Sequence, residues 1–320
     1  MASQSNQPNV SLRLHDPAKP GSTVAWTYVV SILGFHLIAL LALVPWLFSW
    51  TGLVLAVAGL YVFGTLGVNL CYHRLLTHRS FSCSKRLEHF LALLGCCCLQ
   101  DSPSRWVAIH RLHHQHSDEE PDPHSPLLSF FWGHMGWLFV DQFRVALSLY
   151  ERYVRDLLQD RFYFKLERKL AWVWVAAAHT ALFFLAGLAI GTVSDGSVQA
   201  GLQFGASLVV WGVILRTVAV WHITWSVNSL SHVWGYRNYE TSDHSTNNWF
   251  VALVSNGEGW HNNHHADQRS AAHGHRWWEF DVTYLTIKGL EKLGLVWDVV
   301  PIRVKQTPDQ EQEQPLRRAA

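Results

Sequence analysis

Nine histidines and one asparagine, grouped in four short strings, carry the chemistry open to this chain. They are His73 and His78 in HRLLTH, His110, His113 and His114 in HRLHH, Asn228 and His232 in NSLSH, and His261, His264 and His265 in HNNHH. Neutral imidazole is the commonest side-chain ligand for transition metals, and nine of them suffice for two ions. In both H-x-x-H-H strings the positions i, i+3 and i+4 share one helix face, as do Asn228 and His232 at i, i+4. His73 and His78 are five apart, so in a regular α-helix they diverge by more than a right angle. That pair requires a helix end or an unwound turn. All-nitrogen ligation suits Fe, Zn, Cu or Ni and argues against Ca or Mg. The zinc-protease string H-E-x-x-H is absent. Only one Glu-x-x-His string occurs, Glu258 with His261, where carboxylate di-iron bundles need two. Two ions in an apolar setting therefore point to oxygen activation rather than hydrolysis.

The elements that position these strings are apolar. Of 320 residues 49% are hydrophobic and only 15% charged, against about 25% in an average soluble domain. Seventeen Trp suit membrane–water interfaces. A net charge of +1 gives no footprint for a nucleic-acid partner. Four segments, 23–48, 52–71, 170–193 and 201–221, reach the about 20 apolar residues that cross a bilayer. The fold class is an all-α integral membrane protein with four transmembrane helices. Arg216, the one charge inside these spans, is close enough to an end to snorkel. Leu87 to Leu99 is too short to cross and reads as a dipping or surface helix. The links 49–51 and 194–199 lack Lys and Arg, whereas 71–169 is rich in both. The positive-inside rule then places both termini and all four strings on the cytoplasmic side. Residues 1–22 read as a flexible cytoplasmic lead, 23–300 as the membrane domain and 301–320 as a disordered tail. The first apolar segment is too long for a signal-peptide core and reads as retained.

Other histidines read more plainly. His36, His179 and His222 lie in apolar spans, where a lone histidine is a packed, hydrogen-bonded group. His15, His89, His244, His273 and His275 read as surface groups or outer neighbours of the site. The five cysteines form no C-x-x-C pair, and Cys96, Cys97 and Cys98 read as small apolar residues of a buried helix.

The strings HRLLTHRSF, HRLHHQHSDEEPDPH, FFWGHMGW, SVNSLSHVWGYR and GEGWHNNHH resemble the membrane fatty-acyl desaturases of the delta-9, stearoyl-CoA desaturase-like family. The likeness runs from roughly Thr23 to Val300 with the motifs in the family's order. It implies a cytoplasmic helical cap holding a di-iron centre (Fe2+/Fe3+), with the nine histidines as ligands and Asn228 reaching one iron through water. It implies an O2-dependent reaction that places a cis double bond, at delta-9, in a saturated fatty-acyl substrate among membrane lipids. Metal-bound histidines usually donate their second N–H to an acceptor, and Asp118, Asp122 and Glu258 are the candidates. Trp106 and Trp225 are candidates for the wall of the acyl tunnel. One departure matters. Mammalian acyl-CoA members of the family carry Arg-Asp where this chain has Ala108 and Ile109, with Arg105 and Arg111 nearby as substitutes. The acyl carrier (CoA, lipid or acyl-carrier protein) is thereby open. No His-Pro-Gly-Gly string or dinucleotide fingerprint is present, so electrons come from an external donor, a ferredoxin or cytochrome b5. Arg152, Arg155, Arg161, Lys165 and Arg168 suit its docking face or serve as topology signals. The alternatives are a related di-iron alkyl-chain hydroxylase and a non-enzymatic membrane metal-binding protein.

Overall fold

The computed structural model describes residues 23–141 and 147–304. The expected lead at 1–22 and the tail beyond residue 304 lie outside the described residues. Four helices are long and apolar enough to cross a membrane: Trp26–Leu43, Trp50–Thr77, Arg161–Asp195 and Val198–His232. Few side chains of the first and third spans are buried, as suits helices that face lipid. Among the described residues the remaining regular elements are helices, apart from a two-residue antiparallel ribbon that pairs Ser82–Cys83 with Val296–Trp297 and three isolated bridges in the loops. The ribbon, a small exception to an all-α reading, ties the C-terminal segment to the turn after the second span. The chain stays held to Arg303, whose N–H and guanidinium donate to Asp267.

Two spans run further than their apolar stretches. The second continues through His73 to Thr77, and the fourth continues from Trp221 to His232. Hydropathy falls where the histidines begin, but the backbone remains helical and carries them out of the apolar zone. The second span is wound as a π-helix over Leu60–Thr77, closing its end with His78 N–H donating to His73 O at 3.2 Å. The i→i+5 turn brings residues five apart onto nearly one face. The His73 and His78 rings then lie 4.8 Å apart, edge to face.

Arg216 does not snorkel. It is fully buried, its guanidinium 4.3 Å from the Phe63 ring and donating to Cys97 O and Gly212 O. The carbonyl at the end of the Lys85–Cys96 helix is within reach, so the charge turns inward to satisfied acceptors. That helix packs against the second span, and Cys96, Cys97 and Cys98 are buried at its end. Close approach is made by glycine. A Cβ on Gly67 would lie 2.4 Å from Gly95 N, and one on Gly95 would lie 2.4 Å from the Tyr72 ring. His36 and His222 are hydrogen-bonded to each other at 2.9 Å, and His222 to His134 at 3.0 Å. His179 differs from its expected role: its nitrogens have no partner, and it packs instead between Phe63 and Phe183.

Gly67→Ala forces backbone apart where none can yield, and we expect it to cost about 1–3 kcal/mol. Gly34→Ala, which meets nothing within 4 Å, is the control. Thermal unfolding of both variants in detergent is the measurement, with a lowered midpoint for Gly67→Ala alone.

Candidate metal centre and acyl cavity

The four strings converge from four different elements. His73 and His78 come from the end of the second span. His110, His113 and His114 lie on the Pro103–Gln115 helix, whose N-terminus Ser102 caps by accepting from Arg105 N–H. His232 ends the fourth span, and His261, His264 and His265 sit on the short His261–Ala266 helix. A six-residue helix is marginal by itself. Asn262 and Asn263 anchor this one: Asn262 Oδ1 accepts from the backbone N–H of Asn238 and Tyr239, and Asn263 donates to Glu279.

The result is two cages. In one, His73, His78, His110, His114 and His264 bring five ring nitrogens within 4.8 Å of one another; in the other, His113, His232, His261 and His265 bring four. Donors around one ion at ~2.1 Å lie up to ~4.2 Å apart, so each cage, its donors within 4.8 Å of one another, is slightly wider than a filled site and would draw in around an ion. The cages share a wall, with the His114 and His265 rings 4.6 Å apart. Eight of the nine rings are buried and His114 is half-buried. Asn228, four residues before His232, lines the cavity beside His261.

What aims four of the nine imidazoles is a set of buried carboxylates. His73 Nδ1 donates to Glu258 Oε2 at 2.5 Å and His113 Nδ1 to Asp122 Oδ2 at 3.0 Å. His232 Nδ1 donates to Asp118 Oδ2 at 2.8 Å and His265 Nδ1 to Asp243 Oδ2 at 2.5 Å. With Nδ1 protonated toward the acid, each Nε2 lone pair faces inward. Nε2 atoms of His73 and His264, and of His232 and His261, approach to 3.1 and 3.0 Å. The Nε2 atoms of His78, His113 and His265 are buried without any partner. Burial pushes the Asp118 carboxyl up, but the hydrogen bond from His232 overrules it and holds the group at about 2. Burial brings the His265 imidazole down to about 4 against the pull of Asp243. These are conditions for acids that stay ionised and an imidazole that stays neutral near neutral pH. Orphaned buried nitrogens and an all-imidazole donor set fit borderline transition metals such as iron.

Asp118, Asp122 and Glu258 thus sit where the strings suggested. Asp243 was missed, because it lies in the polar loop YETSDHSTNN with no periodicity to mark it. Arg74 was missed too. It is fully buried, donating to Glu258 Oε1 at 2.7 Å and Asp281 Oδ2 at 2.9 Å, and so anchors the acid that aims His73. His273 and His275 are buried rather than at the surface. The His273 ring stacks at 4.3 Å on His264.

A cavity of about 620 Å³ reaches both cages, a volume typical of small-molecule sites. His73 and His110 contribute from one cage and His261 from the other, while Tyr28, Ile32 and Phe35 of the first span form the opposite wall. Trp106 and Trp225 both line it. Trp106 lies 4.8 Å from the His110 ring and donates Nε1–H to Gln100, whose amide donates in turn to Thr224 at 2.9 Å. Ile109 lines this cavity, and Ala108 beside it is buried. Arg111 is no substitute handle, since it donates to the carbonyls of Leu76, Thr77 and Tyr153 and to Asp156. Arg105 does line the cavity, 3.5 Å from the Asp101 carboxylate.

A family model described as fatty acid desaturase matches residues 45–288. An sn-1 stearoyl-lipid 9-desaturase of Anabaena variabilis is 41% identical over 86% of this chain and 94% of its own length. A protein of the same name from Synechocystis sp. is 40% identical over 89% of this chain and 83% of its own length. An acyl-CoA C20 Delta5-desaturase of Anemone leveillei is 40% identical over 85% of this chain and 80% of its own length.

Replacing Asp243 by Asn keeps the shape and removes the charge that His265 leans on. We expect metal retention to fall by about 10–100-fold, measured as bound metal after dialysis against a graded chelator. Asp160→Asn, at the remote His89 contact, should leave retention unchanged.

Proposed function

This chain belongs to the fatty acid desaturase family, and from that premise we propose that it places a cis double bond at the delta-9 position of a lipid-linked saturated acyl chain, with its nine histidines as ligands of a di-iron centre. It is an oxidoreductase acting on a fatty-acyl substrate with O2, and a membrane protein. The observation that carries the finer reading is the shared wall: one apolar cavity touches His73 and His110 of the first cage and His261 of the second. A chain lying in it has its methylenes beside both cages.

Two bound irons would supply the activation of O2 that cleavage of an unactivated C–H bond requires. The protein's own residues do the rest. His73, His78, His110, His114 and His264 would hold one ion. His113, His232, His261 and His265 would hold the other, with Asn228 completing that set through water. The carboxylates of Asp118, Asp122, Asp243 and Glu258 fix the tautomers. The cavity binds a substrate that has no polar handle near its reacting carbons, so length and shape must register it. Each buried methylene contributes about 0.8 kcal/mol, and fixed position converts that binding into choice of carbon. Apolar walls and buried rings exclude water from the oxidant. The overall balance is one saturated bond, O2, two electrons and two protons in, and one double bond and two waters out.

A lipid carrier is supported by three features. Ala108 and Ile109 offer no charge, Arg111 is spent on carbonyls and Asp156, and Arg105 is matched by Asp101. A phosphate-rich carrier finds no unopposed cation there. The two cyanobacterial relatives are named as acting on stearoyl-lipid. We further propose that the cages and their helical cap face the cytoplasm. The links 49–51 and 194–199 carry no Lys or Arg. Arg152, Arg155, Arg161, Lys165 and Arg168 are all exposed and suit an acidic donor such as a ferredoxin or cytochrome b5.

Expression in a host without its own delta-9 desaturase, with iron and a competent donor, should yield monounsaturated chains on membrane lipids. Mass spectrometry locates both the double bond and the carrier; an alcohol as the product would instead indicate the hydroxylase reading. His113→Ala and His264→Ala should lose iron and activity while inserting normally, and full activity in either would overturn the ligand assignment. Charge reversal at Arg155, Arg161 and Lys165 should slow turnover at unchanged abundance if these residues dock the donor.

A further inference from the structure

The cages are reached from a second direction that the acyl cavity does not use. A polar pocket of about 270 Å³ opens beside them, lined by His114 of one cage and His265 of the other. Its walls carry Glu119, Glu240 and Asp243, with no Lys or Arg among the described residues that line it. Glu119 and Glu240 are exposed at the rim, whereas Asp243 is buried and already accepts from His265, Thr241 and Ser245. The His265 side chain is 1% exposed, and its Nε2 is buried without a partner. It belongs at once to the floor of this pocket and to the wall of the four-histidine cage.

A hydrated divalent ion has two ways in, and physics separates them. The acyl cavity is walled by apolar side chains such as Ile32, Phe35 and Trp225, where shedding water is costly, and it holds the substrate during turnover. The polar pocket offers the reverse. Carboxylates of one sign in a cleft raise the local concentration of cations, and their oxygens can replace water before imidazole nitrogen does. We propose that this pocket is the port through which iron enters the centre, with Glu119 and Glu240 as capture carboxylates and His114 and His265 as the cage imidazoles that the ion reaches from it. The proposal rests on the di-iron reading above.

The test uses the full-length enzyme in nanodiscs, stripped with a chelator and reloaded anaerobically with Fe(II), with bound iron followed over time. Glu119→Gln with Glu240→Gln should slow uptake about tenfold yet reach the wild-type iron content and, once loaded, the wild-type turnover. The Asp pair at the same positions should restore the rate. Ser242→Trp, at the exposed rim, should also slow loading, whereas saturating acyl lipid in the cavity should leave the wild-type rate unchanged. Wild-type uptake rates in the Gln pair would overturn the proposal, as would a lowered final iron content or inhibition by acyl lipid. Failure of the wild-type protein to take up any iron would instead overturn the di-iron reading beneath it.

Discussion

The proposed metal centre depends on one constraint: nine imidazoles must turn a lone pair toward two points inside a dry protein. An imidazole has two nitrogens and no intrinsic preference strong enough to choose between them. For four of the nine, His73, His113, His232 and His265, the choice is made by a buried carboxylate that accepts the Nδ1–H. A buried acid is costly unless it is compensated, so each has further donors. Glu258 has Arg74, Asp118 has Ser125 and the His244 backbone, Asp122 has the Asp118 and His124 N–H groups, and Asp243 has Thr241 and Ser245. The cages are the innermost layer of a polar shell, set against four long apolar helices.

That shell also explains the backbone. The second span must deliver His73 and His78 to one cage, and an ordinary α-helix would splay them. Winding the span as a π-helix, a geometry rare in proteins, solves this. Glycine lets the neighbouring helix come close: Gly67 sits on Gly95, and Tyr72 lies over Gly95. Arg111 then takes up the carbonyls of Leu76 and Thr77 at the span's end, which a helix terminus would otherwise leave unsatisfied. One guanidinium so joins the helix bearing His110, His113 and His114 to the span bearing His73 and His78.

The sequence made the chemistry and the spans readable because both rest on local signals: spacing in HRLHH and HNNHH, and runs of apolar residues. The residues it hid act across long separations. Asp243 reaches His265 from a loop without pattern, and Arg74 reaches Glu258 and Asp281 from 184 and 207 positions away. Arg216 was misread for the same reason. Its distance from the span end suggested an escape to water, but the Cys97 carbonyl that holds it belongs to another helix. Span ends were underestimated because hydropathy drops at the histidines while helical hydrogen bonding continues.

The first span supplies Tyr28, Ile32 and Phe35 to the cavity wall but no member of either cage. Part of the fit is therefore written on a helix that holds no cage residue. That stretch of the mould can be recut side chain by side chain, while the two cages on the other elements stay as they are.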